Sequence, residues 1–526
     1  MTTEITAETL RGWLYDGKEL ALLDVREPGE TILGHILFSA PLPFSRFESG
    51  LGRLVPNLSA RLVLCDGGDG VAQRAANHAS SMGYVNISCL SGGVTSWADA
   101  GHTLYQGVNV PSKAFGELVE HVADTPHLTC SQIAEMQKGG NDIVIVDGRP
   151  LEEFAKMSIP GAKCCPNGEL ALRSTSFAPD PRTTIVVNCA GRTRSIIGAQ
   201  TLIDMGVPNE VYAMENGTQG WSLAGLQLDT GRQESLPKVP NEISGEQEKA
   251  AALANKHRVE TISADDLESR ISNQNKTVFL LDVRTSNERA SDPPEINAAL
   301  NAFSVSHAPG GQLVQATDQW IGVRNADVIV LDTENVRAPV TAAWLRRIGH
   351  KAMTLEGGLN SLSRIRAGET KASWSPDPLT EISPSALASR LRASPSSLLD
   401  LRSSAAYRLG HISGAIWCVR PRLPEIDGSV VLIGSDDVEV ALAAKDLRAA
   451  GTNEIVRLTG TVDDWRAAGL KVEATPNCPS DADRIDFQSF TASRHDGDRA
   501  ASRQYLKWEI ELVDQLDTDE RAVFLL

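Results

Sequence analysis

Thr184-Ile185-Val186-Val187-Asn188-Cys189-Ala190-Gly191-Arg192-Thr193-Arg194-Ser195-Ile196-Ile197-Gly198-Ala199-Gln200 is the stretch on which the fold turns. A β-branched run reads as a buried strand. A short loop of small and basic residues follows, and then an apolar-periodic segment that reads as a helix. Strand, tight loop and helix in that order build α/β sheets, where reactive groups gather at the carboxyl ends of strands. The strand delivers Cys189 into a loop whose backbone N–H groups and following helix N-terminus favour an anion. Arg192 and Arg194 add two positive charges. Such surroundings favour thiolate over thiol, so Cys189 reads as a nucleophile. An inert core cysteine packs as a small hydrophobe and gains nothing from two adjacent guanidinium groups.

Working outward, the same unit recurs. An apolar run ending in Asp-x-Arg occurs at Asp24-Val25-Arg26, Asp147-Gly148-Arg149, Asp282-Val283-Arg284 and Asp400-Leu401-Arg402, spaced by 123, 135 and 118 residues. After each comes a Gly- or Pro-bearing turn: Gly34-His35-Ile36, Ile159-Pro160-Gly161-Ala162, a degenerate Pro293-Pro294-Glu295-Ile296-Asn297-Ala298 and Gly410-His411-Ile412-Ser413-Gly414-Ala415. A second apolar strand, a loop and a helix follow. Each unit then closes on a turn such as Gly92-Gly93…Trp97, Gly217…Trp221, Gly357-Gly358…Leu362 or Gly460…Trp465. Strands alternating with helices at this spacing predict parallel sheets with helices on both faces.

This ordered set resembles the rhodanese (sulfurtransferase) homology domain over about residues 1–475. The resemblance implies an α/β fold of four tandem rhodanese-like domains, each a mostly parallel sheet flanked by helices on both faces. The expected boundaries are 1–106, 107–235, 259–375 and 376–475, with a linker over 236–258 that divides the chain into two tandem pairs. A tail over 476–526 carries an amphipathic helix around Tyr505–Val513, which needs another domain or another chain to cover. The resemblance also implies a catalytic cysteine that carries sulfur as a persulfide. The reaction would move sulfane sulfur from a small anionic donor, thiosulfate foremost, to a thiol or cyanide, with no metal or organic cofactor.

Aligned on the preceding strand, the four loops separate an intact copy from decayed ones. The second domain pairs Cys189 with Arg192 and Arg194, and the N–H groups of Ala190, Gly191, Arg192, Thr193, Arg194 and Ser195 are expected to cradle the transferred sulfur. The first domain has Cys65 in an acidic loop, where Asp66 and Asp69 disfavour a thiolate, so Cys65 is at most a weak site. Asp332 and Gly434 hold the cysteine position in the third and fourth domains, which are expected to be inactive. Asp147 and Arg149, with Glu153, read as a structural ion-pair network. Cys164 and Cys165 read as packing residues. Arg173 either reaches the pocket from a connecting segment or faces solvent.

At 526 residues the chain needs several cores. A net charge of −17 with no basic stripe argues against nucleic acid. Neither a signal peptide nor an apolar run of membrane-spanning length appears. Eight irregularly spaced cysteines fit free thiols in a reducing cytoplasm rather than a disulfide framework. A homo-oligomer is compatible with all of this. One rival is a sulfur-sensing or protein-binding scaffold. Another is a cysteine phosphatase or arsenate reductase, which needs an arginine six residues after the cysteine, where this chain has Ser195.

Overall fold

Each repeat folds into a five-stranded sheet, and the strand order, counted locally along the chain, is 1-5-4-2-3 in all four. In unit 2 the strands are His127–Leu128, Ile143–Asp147, Lys163–Cys164, Thr184–Asn188 and Val211–Met214. All pairings within these sheets are parallel, and a separate antiparallel pair joins His411–Ile412 to Val472–Glu473 in unit 4. Helices cover both faces, so the central strands are continuously apolar: Ile185, Val186 and Val187 are all fully buried. The computed structural model describes residues 2–365, 374–394, 396–492 and 498–526. No helix among the described residues is long and apolar enough to cross a membrane. All eight cysteines are free thiols, and Cys478 alone is exposed.

The units do not pair in chain order. Unit 2 packs on unit 3, and unit 1 packs on unit 4, which corrects the expectation of two tandem pairs. In the first contact, helix Asn167–Phe177 meets Gly310–Gln315 and Arg337–Ile348. Backbone touches backbone there: a Cβ on Gly168 would lie 2.6 Å from the Gly311 nitrogen. In the second contact, Arg420 reaches across to the Glu48 carboxylate at 2.6 and 2.9 Å and to the Phe44 carbonyl at 3.0 Å. Units 1 and 3 also touch, through an antiparallel bridge between Leu20 and Arg324.

The segments outside the repeats are part of this packing. The expected linker holds helix Ser244–Lys256, which lies along Arg337–Ile348 with Ala250 and Leu253 buried. The helix leading unit 2 spans Val110–Ala123 and is buried on every side over its first ten residues. Its Phe115 meets Trp344 of unit 3 and Phe524 of the tail. The tail forms helices Arg499–Gln515 and Thr518–Ala522, and the first of these packs along Val110–Ala123. The tail therefore covers another domain of its own chain. The turn expected at Pro293–Ala298 is instead the start of helix Pro294–Ala302, because Pro294 takes a first-turn position where no N–H is required.

Candidate functional site

The register between the second and fourth strands fixes which residues are equivalent. Asp24 pairs with Cys65, Asp147 with Asn188, Asp282 with Leu331 and Asp400 with Ile433. Cys65 is therefore the counterpart of Asn188 inside the strand, and the counterpart of Cys189 in unit 1 is Asp66. This corrects the placement of Cys65. Its thiol donates to the Leu23 carbonyl at 3.5 Å, and burial, with Asp24 adding, pushes its pKa well up. The closing turns confirm the register. A Cβ on Gly93, Gly217 or Gly358 would lie within 2.4 Å of the carbonyl oxygen of Asp66, Cys189 or Asp332 respectively. All three glycines have positive φ.

Each Asp-x-Arg closes on itself. Asp147 takes the Arg149 guanidinium at 2.9 and 2.8 Å, and the same fork holds Arg26, Arg284 and Arg402. Asn188 donates to Asp147 at 2.7 Å, which ties the strand end to this fork. Glu153, expected in the fork, instead takes Arg194.

The loops of units 1 and 3 are filled by their own carboxylates, and that of unit 4 has an aspartate capping the helix that follows. Asp66 accepts the N–H groups of Gly68 and Ala72 at 2.8 and 2.9 Å. Asp332 accepts those of Asn335, Val336 and Ala338 at 3.1, 3.0 and 3.1 Å. In unit 4, where Gly434 has no side chain, Asp436 accepts from Val438 and Glu439. Two loops of this design, those of units 1 and 3, thus hold an anion on their backbone N–H groups. Counted from the cysteine position, the donors to Asp332 correspond to Arg192, Thr193 and Ser195.

In unit 2 a thiol stands in that place. Cys189 lies one residue beyond strand Thr184–Asn188 and is 2% exposed. The Ser195 hydroxyl donates to its Sγ at 3.1 Å. The Ala190 carbonyl is held by the Gln219 N–H and side-chain amide, both at 3.1 Å. Helix Thr193–Asp204 starts directly under the loop.

The two arginines are not equivalent. Arg194 forks onto Glu153. Burial alone would depress its pKa, but Glu153, with the Cys189 charge adding, pushes it up. Arg192 forks onto Glu117 at 2.9–3.1 Å and also bonds Glu120, both on helix Val110–Ala123. Burial pushes the Glu117 carboxyl up to about 7 against the opposing pull of Arg192. Thr193 Oγ1 donates to Glu509 of the tail at 2.7 Å, and Lys113 donates to the same oxygen at 2.9 Å. Three cations thus meet four carboxylates around the loop, so the net positive field read from the sequence is absent.

Arg173 neither reaches this pocket nor faces solvent. It is buried, bonds Glu169 at 2.7 Å and donates to the Pro237 carbonyl. Cys164 and Cys165 are fully buried. Lys113, Glu117, Glu120 and Glu509 carried no sequence signal. Each lies at least 69 residues from Cys189, and nothing local marks them.

A parallel sheet whose fourth strand ends in a short loop before a helix, four times over, with a thiol at the loop of one copy, defines a repeat protein built on one α/β unit. The chain belongs to the rhodanese-like domain family, which matches residues 6–100, 129–224, 263–364 and 383–468. A thiosulfate sulfurtransferase from Pseudomonas aeruginosa, known from its crystal structure, superposes with a TM-score of 0.87 at 36% identity, covering 100% of this chain and 99% of that one. The probable adenylyltransferase/sulfurtransferase MoeZ of Mycobacterium tuberculosis is 35% identical over 95 residues, 18% of this chain and 24% of MoeZ. An HTH-type transcriptional regulator from the same organism is 32% identical over 104 residues, 20% of this chain and 45% of the regulator. The chain spans less than half the length of these two curated relatives.

Proposed function

We propose that the protein is a sulfurtransferase in which Cys189 carries sulfane sulfur as a persulfide, with thiosulfate as the donor. One observation carries this reading: a thiol occupies in unit 2 the place where the loops of units 1 and 3 hold a carboxylate on backbone N–H groups. The full-length likeness to a protein named as a thiosulfate sulfurtransferase supports it. The Cys189 thiolate attacks the outer sulfur of thiosulfate. A new S–S bond forms, the old one breaks, and its electron pair leaves with sulfite. A thiol, or cyanide in an assay, then attacks the outer sulfur of the persulfide, takes it away and restores the thiolate. The N–H groups of Arg192 and Thr193 and the Ser195 hydroxyl face the charge on the transferred sulfur, and Arg194 is the cation beside it. With no net positive field, donor selection falls to these donors rather than to long-range attraction.

Units 1, 3 and 4 serve as scaffold in this reading, since Asp66 and Asp332 occupy two of the loops and Gly434 offers no side chain in the third. The phosphatase reading has no support: Ser195 stands where that chemistry needs its arginine, and its hydroxyl is spent on the sulfur. Intact mass spectrometry after incubation with thiosulfate tests the proposal. A gain of one sulfur atom is expected in the wild type and not in Cys189→Ser. A gain that survives Cys189→Ser overturns the assignment.

A further inference from the structure

A carboxylate of the C-terminal tail meets the Cys189 loop from outside its own unit. Glu509 sits on helix Arg499–Gln515, 316 residues beyond Thr193, and is 1% exposed. A buried carboxylate is costly unless charged and polar partners meet it. Here Lys113 and the Thr193 hydroxyl both donate to its Oε1, and Lys113 also bonds Tyr505 of the same helix. The loop is shaped to admit it: a Cβ at Gly191 would lie 3.0 Å from Glu509 Oε2 and 3.7 Å from a Leu506 methyl. Trp508 anchors the helix against Gly107, lying where a Cβ on that residue would fall.

Thr193 is the first residue of the helix that follows the loop, where an N–H has no partner within the helix. Its counterpart in unit 3, Val336, gives that N–H to Asp332 at 3.0 Å. The Thr193 side chain is thus the handle by which the orientation of an anion-facing N–H is fixed, and Glu509 grips it. Unit 3 has valine at this position and fixes its loop from within, through Asp332. A thiol lacks the second oxygen with which Asp332 bridges Asn335 and Val336, so the loop of unit 2 needs a hold from outside.

We infer that Glu509 is a positioning residue for the Cys189 loop, acting through the Thr193 hydroxyl. The inference rests on Cys189 being the sulfur carrier, so its test includes a readout independent of sulfur transfer. In the full-length protein, Glu509→Ala and Thr193→Val should each lower kcat for thiosulfate:cyanide transfer by roughly tenfold, with KM changed less than threefold. The double variant should be no worse than either single one, since both remove one interaction. Glu509→Gln and Thr193→Ser retain an acceptor and a hydroxyl, and should keep most of the rate. Hydrogen exchange at the amides of Arg192 to Ser195 should quicken about tenfold in the two disruptive variants. Thr193→Val stands in should Glu509→Ala fail to fold. Unchanged loop exchange in a folded disruptive variant overturns the inference, and so does a fall in melting temperature with kcat intact. If the wild type takes no sulfur from thiosulfate while loop exchange still responds, the proposed function fails and the positioning role stands.

Discussion

Arg194 lies in a two-pronged fork on Glu153, with both contacts at 2.8 Å. The same fork recurs in unit 3, where Arg337 grips Glu288 at 2.7 and 2.9 Å although Asp332 replaces the thiol. The orientation of the guanidinium is therefore set by the fold and not by a bound sulfur compound. In unit 2 that pre-set cation lies beside the Cys189 thiol. In unit 3 it is fully buried and also takes Glu169 of unit 2 at 3.0 Å.

Arg194→Ala should lower kcat/KM for thiosulfate by roughly ten- to a hundredfold, matching a charge-assisted contact of about 1.5–3 kcal/mol. Steady-state kinetics reads this directly. A change below threefold would remove Arg194 from the reaction.

Arg192→Ala should act on stability instead. It strips a fully buried Glu117 of its cation, and breaking such a pair costs about 3–5 kcal/mol. Denaturant titration should show that loss, with a smaller change in kcat than Arg194→Ala produces. The opposite ranking would make Arg192 the donor-binding residue.

Cys65→Ser should leave sulfur transfer intact, because Cys65 lies within the strand and not at the loop position. Burying a hydroxyl there should cost about 1–3 kcal/mol. Loss of activity equal to that of Cys189→Ser would place Cys65 in the chemistry.

Arg337→Met should loosen the contact between units 2 and 3, since Glu169, Glu288 and Glu334 all converge on this one cation. A cost of about 3–5 kcal/mol is expected. Limited proteolysis near the 236–258 segment should detect the separation, and an unaltered digestion pattern would argue that the glycine and aromatic packing holds the two units without this cation.

Stability should peak in mild acid. Burial alone would raise the Glu288 carboxyl, but Arg337 overrides it and holds it at about 2, against an ordinary 4.5. Its contribution is present above pH 4.5 and is lost as pH falls toward 2. Glu27 behaves oppositely. Burial pushes it up to about 7, and its partners are the N–H and hydroxyl of Ser45. Its contribution is full below 4.5 and is lost as pH rises through 7. Melting temperature against pH should therefore fall on both sides of about pH 5. Glu288→Gln should flatten the acid limb, and Glu27→Gln the alkaline one.

The repeat was legible because strand, turn and loop residues are contiguous. Asp-x-Arg forks span three residues, so their role as local closures follows from spacing alone. The placement of Cys65 was not legible. A one-residue offset between two apolar strands leaves the hydrophobic pattern almost unchanged, and only the Asp24–Cys65 register resolves it. Arg192 misled for another reason. A basic residue next to a thiol carries its charge in the sequence, but its counter-ions, Glu117 and Glu120, come from a helix more than seventy residues upstream.

By itself the sequence determined the four α/β units, the loop that differs from its sisters and the residue at its apex, because these rest on local periodicity and short-range spacing. The tertiary structure alone decided that unit 2 packs on unit 3 and unit 1 on unit 4. It also decided that both arginines are neutralised and that a carboxylate from the tail reaches the Cys189 loop. These features depend on close backbone approach at Gly168 and Gly311 and on where buried charges find partners. Neither leaves a periodic trace along the chain, since each is settled by which surfaces meet after the units have formed.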